Sequence, residues 1–183
     1  MNTRLADLSP AVEAEILAGV RAGGAARREA TDRIYRELRE PLHALCLHLT
    51  GRRADAEDAV QEVFVAVHRG LPEFRAASRL TTWIYRIALR AAFRARARRR
   101  DGEALDPEMA GGGGEGEMGW RDEVRRVAVA MGHLPAGPRA VLSLFAVEGL
   151  SHREIADVLG IPEGTVWSRL HAARKMLGEE LHR

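Results

Sequence analysis

At 183 residues the chain has room for one ordinary domain or two small ones, and 46% hydrophobic residues suffice for packed cores. No apolar run approaches the roughly 18 residues of a membrane span, and MNTRLADLSP lacks the apolar core of a signal peptide, so a cytoplasmic protein is expected. A single cysteine, Cys46, excludes an internal disulfide framework and agrees with a reducing compartment.

The formal net charge is only +2, but its distribution is uneven. Arg86 to Arg100 holds seven arginines and no acid, whereas Asp101 to Glu123 holds eight acids against Arg121 alone. Such a basic block suits a polyanion, though it is also what a solvated arginine-rich helix end looks like.

Long Ala/Leu/Arg/Glu segments predict an all-α chain. Ser9-Pro10 reads as an N-cap with proline at the first helical position, opening a helix through Val12 to Val20 that breaks at Gly23-Gly24. A second helix is expected over Ala26 to Arg39 and a third over Pro41 to Leu49, before Gly51. In ADAEDAVQEVFVAVHRG, Val60, Val63, Phe64 and Val67 recur at three and four and share a face; Gly70 and Pro72 end that helix. Leu80, Ile84, Ile87 and Ala91 mark a long helix running into the arginine block. The stretch DGEALDPEMAGGGGEGEMGW cannot bury enough apolar area to offset its ordering entropy. It predicts a flexible Gly/acidic linker over 101–120 between two small helical domains, 1–100 and 121–183.

In the second domain, helices are expected over Arg121 to Met131 and Pro138 to Glu148. Two more fill SHREIADVLGIPEGTVWSRLHAARKML, where Ser151 and Glu154 form a capping box, Gly160 supplies the turn and Pro162 stops the first helix. Two helices this close form a helix-turn-helix unit. Val166, Leu170, Ala173 and Leu177 face Ile155, Ala156 and Leu159. That leaves Gly164, Ser168, His171, Ala172 and Lys175 outward, flanked by Trp167, Arg169 and Arg174. A polar, basic face of that size can enter a DNA major groove, with Gly164 allowing close approach of backbone to phosphate.

Taken with LHALCLHLTGRRADAEDAVQEVFVAVHRGLPEFRAASRLTTWIYRIA, the C-terminal block LPAGPRAVLSLFAVEGLSHREIADVLGIPEGTVWSRLHAARKML resembles the extracytoplasmic-function group of bacterial RNA polymerase sigma factors. The resemblance covers most of the chain in the family's order. It implies a promoter-specificity subunit that acts with core RNA polymerase, catalyses nothing itself, needs no cofactor or metal, and is held inactive by an anti-sigma factor. The first domain would dock on polymerase and open the minus-10 element; the second would read the minus-35 element. By composition the linker is a solvating tether; the resemblance implies that it threads the RNA-exit path with its acids mimicking nucleic-acid charge, and a third reading has it cover the Arg86 to Arg100 block in the free protein.

By the same resemblance Asp55, Asp58, Gln61 and Glu62, an exposed acidic strip, would contact the polymerase clamp. Phe74, Arg75, Ser78, Arg79, Tyr85, Arg86 and Arg90 would hold the minus-10 strand. Aromatic and basic groups side by side suit unstacked bases, Phe93 also being placed outward and Trp83 toward the core. Gly164, Trp167, Ser168, Arg169, His171, Arg174 and Lys175 would meet the minus-35 duplex.

The chain departs from the family at Ala76-Ala77, where Gly-Glu is common, and at Leu89-Arg90, where Arg-Asn is common, so no minus-10 sequence is assigned. Trp167 stands where Lys or Arg is common and Ala172 where a basic or polar residue is. An indole cannot bond guanine in bidentate fashion but can pack on a thymine methyl or a sugar, so an unusual minus-35 sequence is expected.

Two alternatives compete with this reading. A stand-alone helix-turn-helix regulator would bind duplex DNA tightly without polymerase. A metal enzyme would need a ligand motif such as His-Glu-x-x-His, which the sequence lacks; His43, Cys46 and His48 read as packing on a short apolar helix.

Overall fold

The computed structural model describes residues 8–98 and 118–182, with the side chains of 118–125 excepted. Among these, the order is α1 (Pro10–Ala22), α2 (Gly24–Thr50), α3 (Arg53–Gly70), a 3-10 turn (Leu71–Glu73), α4 (Leu80–Ala97), α5 (Met118–His133), α6 (Ala136–Ala146), α7 (His152–Leu159) and α8 (Glu163–Leu181).

Helix α1 begins as its sequence directs: the Ser9 hydroxyl accepts from Val12 N at 3.3 Å, and Pro10 opens the first turn. Gly23 and Gly24 then take positive φ of 73° and 54°, reversing the chain where a side chain would be strained. One expectation fails here. Pro41 does not separate two helices, and α2 runs unbroken from Gly24 to Thr50. A proline inside a helix forfeits one ladder bond and crowds the preceding turn. Here Leu38, Pro41, Leu42, Leu45 and Leu49 are all buried on one stripe, and that apolar burial outweighs the local cost.

Helix α3 packs on both α2 and α4, and α1 lies across α2. Ile34, Leu42, Val63, Val67, Leu80 and Ile84 fill the space between them. The alanine run of α4 (Ala88, Ala91, Ala92, Ala95) is buried, which lets neighbouring backbones approach closely. Gly70 serves a similar end at the close of α3: a Cβ there would sit 2.9 Å from the Trp83 indole.

In the second half, α8 packs on α5, α6 and α7 through Val166, Leu170 and Ala173. Helix α5 starts at Met118, three residues before the expected Arg121, and the rest of the expected linker lies outside the described residues.

The halves are joined. Helix α7 rests on α4, and α5 and α6 rest on the end of α2, so the buried apolar residues form one continuous core. Polar ties cross the seam. Tyr85 Oη donates to Glu148 Oε2 at 2.8 Å. Arg86 donates to the carbonyls of Asp157 (2.6 Å) and Val158 (3.2 Å). Arg96 reaches the carbonyls of Thr50 and Gly132. Arg139, only 2% exposed, donates to the carbonyls of Met131, Gly132 and Leu134 and to that of Leu49 in α2.

Candidate nucleic-acid interface

The helix pair α7–α8 is built by local chemistry. Ser151 Oγ accepts from Glu154 N at 3.3 Å, and the Glu154 carboxylate accepts from Ser151 N at 2.9 Å, so each end of the box satisfies an orphan amide. Gly160 takes φ 64° to close α7, and Pro162 precedes the first turn of α8. Hydrogen bonds from the Ser151 side chain and backbone hold the Glu154 carboxyl below its usual 4.5, burial opposing them and the Arg79 charge helping. Because the folded value is the lower one, this contribution is present above pH 4.5 and drains away as pH falls through the folded value. Ser151→Ala should cost about 1 kcal/mol in urea melts at pH 7, and the difference from wild type should shrink in acid.

On α8 the buried stripe of Val166, Leu170 and Ala173 turns Gly164, Trp167, Ser168, His171, Arg174 and Lys175 to solvent. The expected faces therefore recur. Arg169 is half-buried, its guanidinium against α6, 3.4 Å from where a Cβ on Gly137 would lie. Trp167 is 57% exposed and leans on the His152 ring at 4.1 Å between centroids. His152 in turn stacks on Phe145 at 5.5 Å and 10°, and the Arg174 guanidinium lies 5.2 Å from the Phe145 centroid.

The loop before α4 and its first turns carry the second group. Phe74 is half-buried against Trp83, ring centroids 5.2 Å apart. Arg75 is exposed, and Ser78 donates to the Arg79 carbonyl. Arg79 is engaged with α1, pairing with Glu13 Oε1 at 3.0 Å and donating to the Leu8 carbonyl at 2.8 Å. Arg90 is exposed and Phe93 half-buried. Tyr85, expected outward, is 1% exposed. It lies in the continuous core, and its hydroxyl reaches Glu148 of the second half. Between the halves lies a cleft of about 300 Å³ lined by Ser78, Arg79, Tyr85, Arg86, Glu154 and Asp157.

On α3, Asp58 and Gln61 are exposed and Asp55 is half-buried. Glu62 is engaged with α4, its carboxylate 3.1 Å from Arg94 and 3.0 Å from Arg98. Burial works against its charge, but bonds from the two arginines outweigh it and hold the carboxyl below its usual value. Beside this strip is a groove of about 570 Å³ between α2 and α3, lined by Tyr35, His43, Val60, Gln61, Phe64 and Val65. Tyr35 and Phe64 rings meet at 4.8 Å, and Tyr35 and Val65 are about half exposed. Sequence reasoning passed over Tyr35 and Val65, although both lie off the apolar stripe of their helices, which was the available signal.

Cys46 is fully buried, and burial, with Glu148's charge adding, pushes its thiol up to about 12. His48 Nδ1 lies 2.8 Å from the Ala44 carbonyl. Among the described residues no group of three or more His, Cys, Asp or Glu is placed to hold a metal ion, and no helix is long and apolar enough to cross a membrane.

Comparison with known proteins gives a consistent result. The model of Sigma-70 region 2 matches residues 34–102, and that of Sigma-70 region 4 matches 125–177. The ECF RNA polymerase sigma-E factor of Haemophilus influenzae is 34% identical over 143 residues, which is 70% of this chain and 76% of the relative. The RNA polymerase sigma-H factor of Pseudomonas aeruginosa is 33% identical over 169 residues, 84% of this chain and 87% of the relative. Among solved structures, CnrH in complex with the cytosolic domain of CnrY superposes with a TM-score of 0.72 at 26% identity, over 93% of this chain and 97% of that one. The sigma factor RpoE of Bartonella quintana, solved with the anti-sigma factor NepR, shares the fold with a TM-score of 0.64 at 23% identity, over 82% and 96% of the two chains.

Proposed function

The chain belongs to the sigma-70 family, in its extracytoplasmic-function group, and on that premise we propose that it binds core RNA polymerase and directs promoter recognition, DNA opening and transcription initiation. The observation that carries this is the presence in one chain, in family order, of both sigma units. A stand-alone regulator has no use for the first. The protein contributes binding energy and orientation and performs no chemistry of its own; it acts where polymerase acts, in the cytoplasm.

In this reading α8 enters the minus-35 major groove. Trp167, Ser168 and His171 face base edges, while Arg169, Arg174, Lys175 and the backbone at Gly164 meet phosphates, which position without specifying. Phe74, Arg75, Ser78, Tyr85, Arg86 and Arg90 take the unstacked minus-10 strand, with Arg79 anchoring the loop to α1. Asp55, Asp58, Gln61 and Glu62 meet the polymerase clamp, and the groove beside them, where Tyr35, Phe64 and Val65 sit among charged side chains such as Arg39 and Glu57, extends that contact. An anti-sigma factor is the further partner, by likeness to CnrH, which is captured with the cytosolic domain of CnrY.

The test is transcription from random-promoter templates with core polymerase, with and without the protein. Glu62 also ties α3 to α4 through Arg94 and Arg98, so reversing it would disturb the fold as well as the surface. Asp58 is exposed and is the cleaner site. Asp58→Arg should cut initiation at least about ten-fold, because a juxtaposed like charge costs several kcal/mol at an interface, while leaving the thermal midpoint unchanged. Initiation indifferent to Asp58→Arg, or saturable dimeric binding to duplex DNA with no polymerase-dependent initiation, would sink the reading.

A further inference from the structure

Resting on that reading of α8, we infer that Trp167 selects a thymine in the minus-35 duplex through its C5-methyl group, and that His152 and Phe145 hold the indole in its reading position. Trp167 is the fifth residue of α8, in the N-terminal part of a recognition helix that approaches base edges. It is the one large apolar side chain exposed on that helix; the outward positions near it are Glu163, Gly164, Ser168 and His171.

The indole is not loose. It stands at the end of a column of rings crossing three helices: Trp167 of α8, His152 of α7 and Phe145 of α6, with Arg174 over the far ring. His152 Nε2 is buried and makes no hydrogen bond, so stacking rather than a polar tether sets the angle of its imidazole. A tryptophan left 57% in water contributes little to the core, yet three helices converge to hold it. That is how a contact residue is pre-organised, by settling its rotamer before the ligand arrives.

The chemistry narrows the ligand. Indole offers one N–H donor and no acceptor, so it cannot form the paired bonds that read guanine or adenine in the major groove. Its face is apolar, and the apolar feature of the major-groove code is the thymine methyl. Covering one methyl is worth roughly four-fold in binding. A ring already fixed in place delivers that gain without further ordering cost.

The experiment uses the complete protein with core polymerase and the promoter recovered from random templates. Each thymine of the minus-35 element is replaced in turn by deoxyuridine, which removes only the methyl. For wild type, one position should lose about four-fold in competitive binding, and 5-methylcytosine at that position should bind better than cytosine. With Trp167→Ala the methyl should no longer matter there. His152→Ala should blunt the same discrimination, and His152→Phe, which keeps a ring in the column, should restore it; a merely structural role for His152 would lower all duplexes alike. Wild-type binding indifferent to every methyl, or discrimination that survives Trp167→Ala, overturns the inference while leaving the sigma reading intact. A protein that selects no promoter at all overturns both.

Discussion

Arg139→Ala is expected to destabilise the protein by about 2–6 kcal/mol, a large part of the 5–15 kcal/mol that holds a typical domain together. The guanidinium is buried where α5 ends, and it donates to the carbonyls of Met131, Gly132 and Leu134. These belong to the last turn of α5 and the residues just past it, where no intrahelical donor remains and the helix dipole is negative. A fourth bond, to Leu49 at 3.3 Å, reaches the last turn of α2, so one side chain finishes two helices and joins the two halves. The Gly132 carbonyl keeps Arg96 and the Met131 carbonyl keeps the Leu134 amide, so alanine takes the donor chiefly from the Leu134 and Leu49 carbonyls, at about 1–3 kcal/mol each where nothing replaces it. Lysine should recover only part of the loss, because an ammonium on a flexible stem cannot span the planar fork. Denaturant titration followed by circular dichroism measures both variants; a loss below about 1 kcal/mol for Arg139→Ala would show that water replaces the guanidinium at no great cost.

Tyr85→Phe and Tyr85→Ala are expected to part company. The phenol donates to a buried carboxylate, Glu148, across the seam. Removing only the hydroxyl should weaken the closed arrangement by about 1–3 kcal/mol, a shift of roughly 5- to 150-fold toward separated halves. Phenylalanine keeps the ring that, on the proposed role, stacks on an unpaired base. Initiation by Tyr85→Phe should therefore equal or exceed wild type, and the free protein should scatter X-rays as a more extended particle. Tyr85→Ala opens the seam further, because it also removes a fully buried ring, but it loses stacking worth about 1–3 kcal/mol, so single-round transcription should fall by about ten-fold or more. Equal loss in both variants would mean that the hydroxyl itself touches the promoter and that the seam does not mask the ring.

These two residues also mark where sequence reasoning stops. The Ser151–Glu154 box, the Gly160 turn and the valine stripe of α3 are local patterns, with both partners within a few residues, and they stand in the structure as read. The faces of α8 follow from the same periodicity. What could not be read depends on partners far apart in sequence: Tyr85 with Glu148 is 63 positions distant, and Arg139 with Leu49 is 90. Pro41 misled for a related reason, since a local breaker was overridden by burial against α3 and α4. Likewise, the stripe of α4 marks Tyr85 as outward, and nothing in it tells that the residue lies in the continuous core with its hydroxyl on Glu148. Trp167 stood out as a departure from its family, but its support by His152 and Phe145 needed the packing of three helices.

On the proposed role, helix α7 holds two posts at once: it is the first helix of the duplex-reading unit, and its carbonyl end occupies Arg86. These posts become incompatible on a promoter. Elements named for positions 35 and 10 stand on the order of 80 Å apart at the 3.4 Å rise of duplex DNA, while the bonds from Arg86 span about 3 Å. If α8 seats on one element and α4 on the other, as proposed, α7 must be drawn off Arg86 and Glu148 off Tyr85. On that role the spacing of the promoter would act as a ruler, and a DNA carrying only one element, or both at the wrong interval, would leave Tyr85 and Arg86 capped.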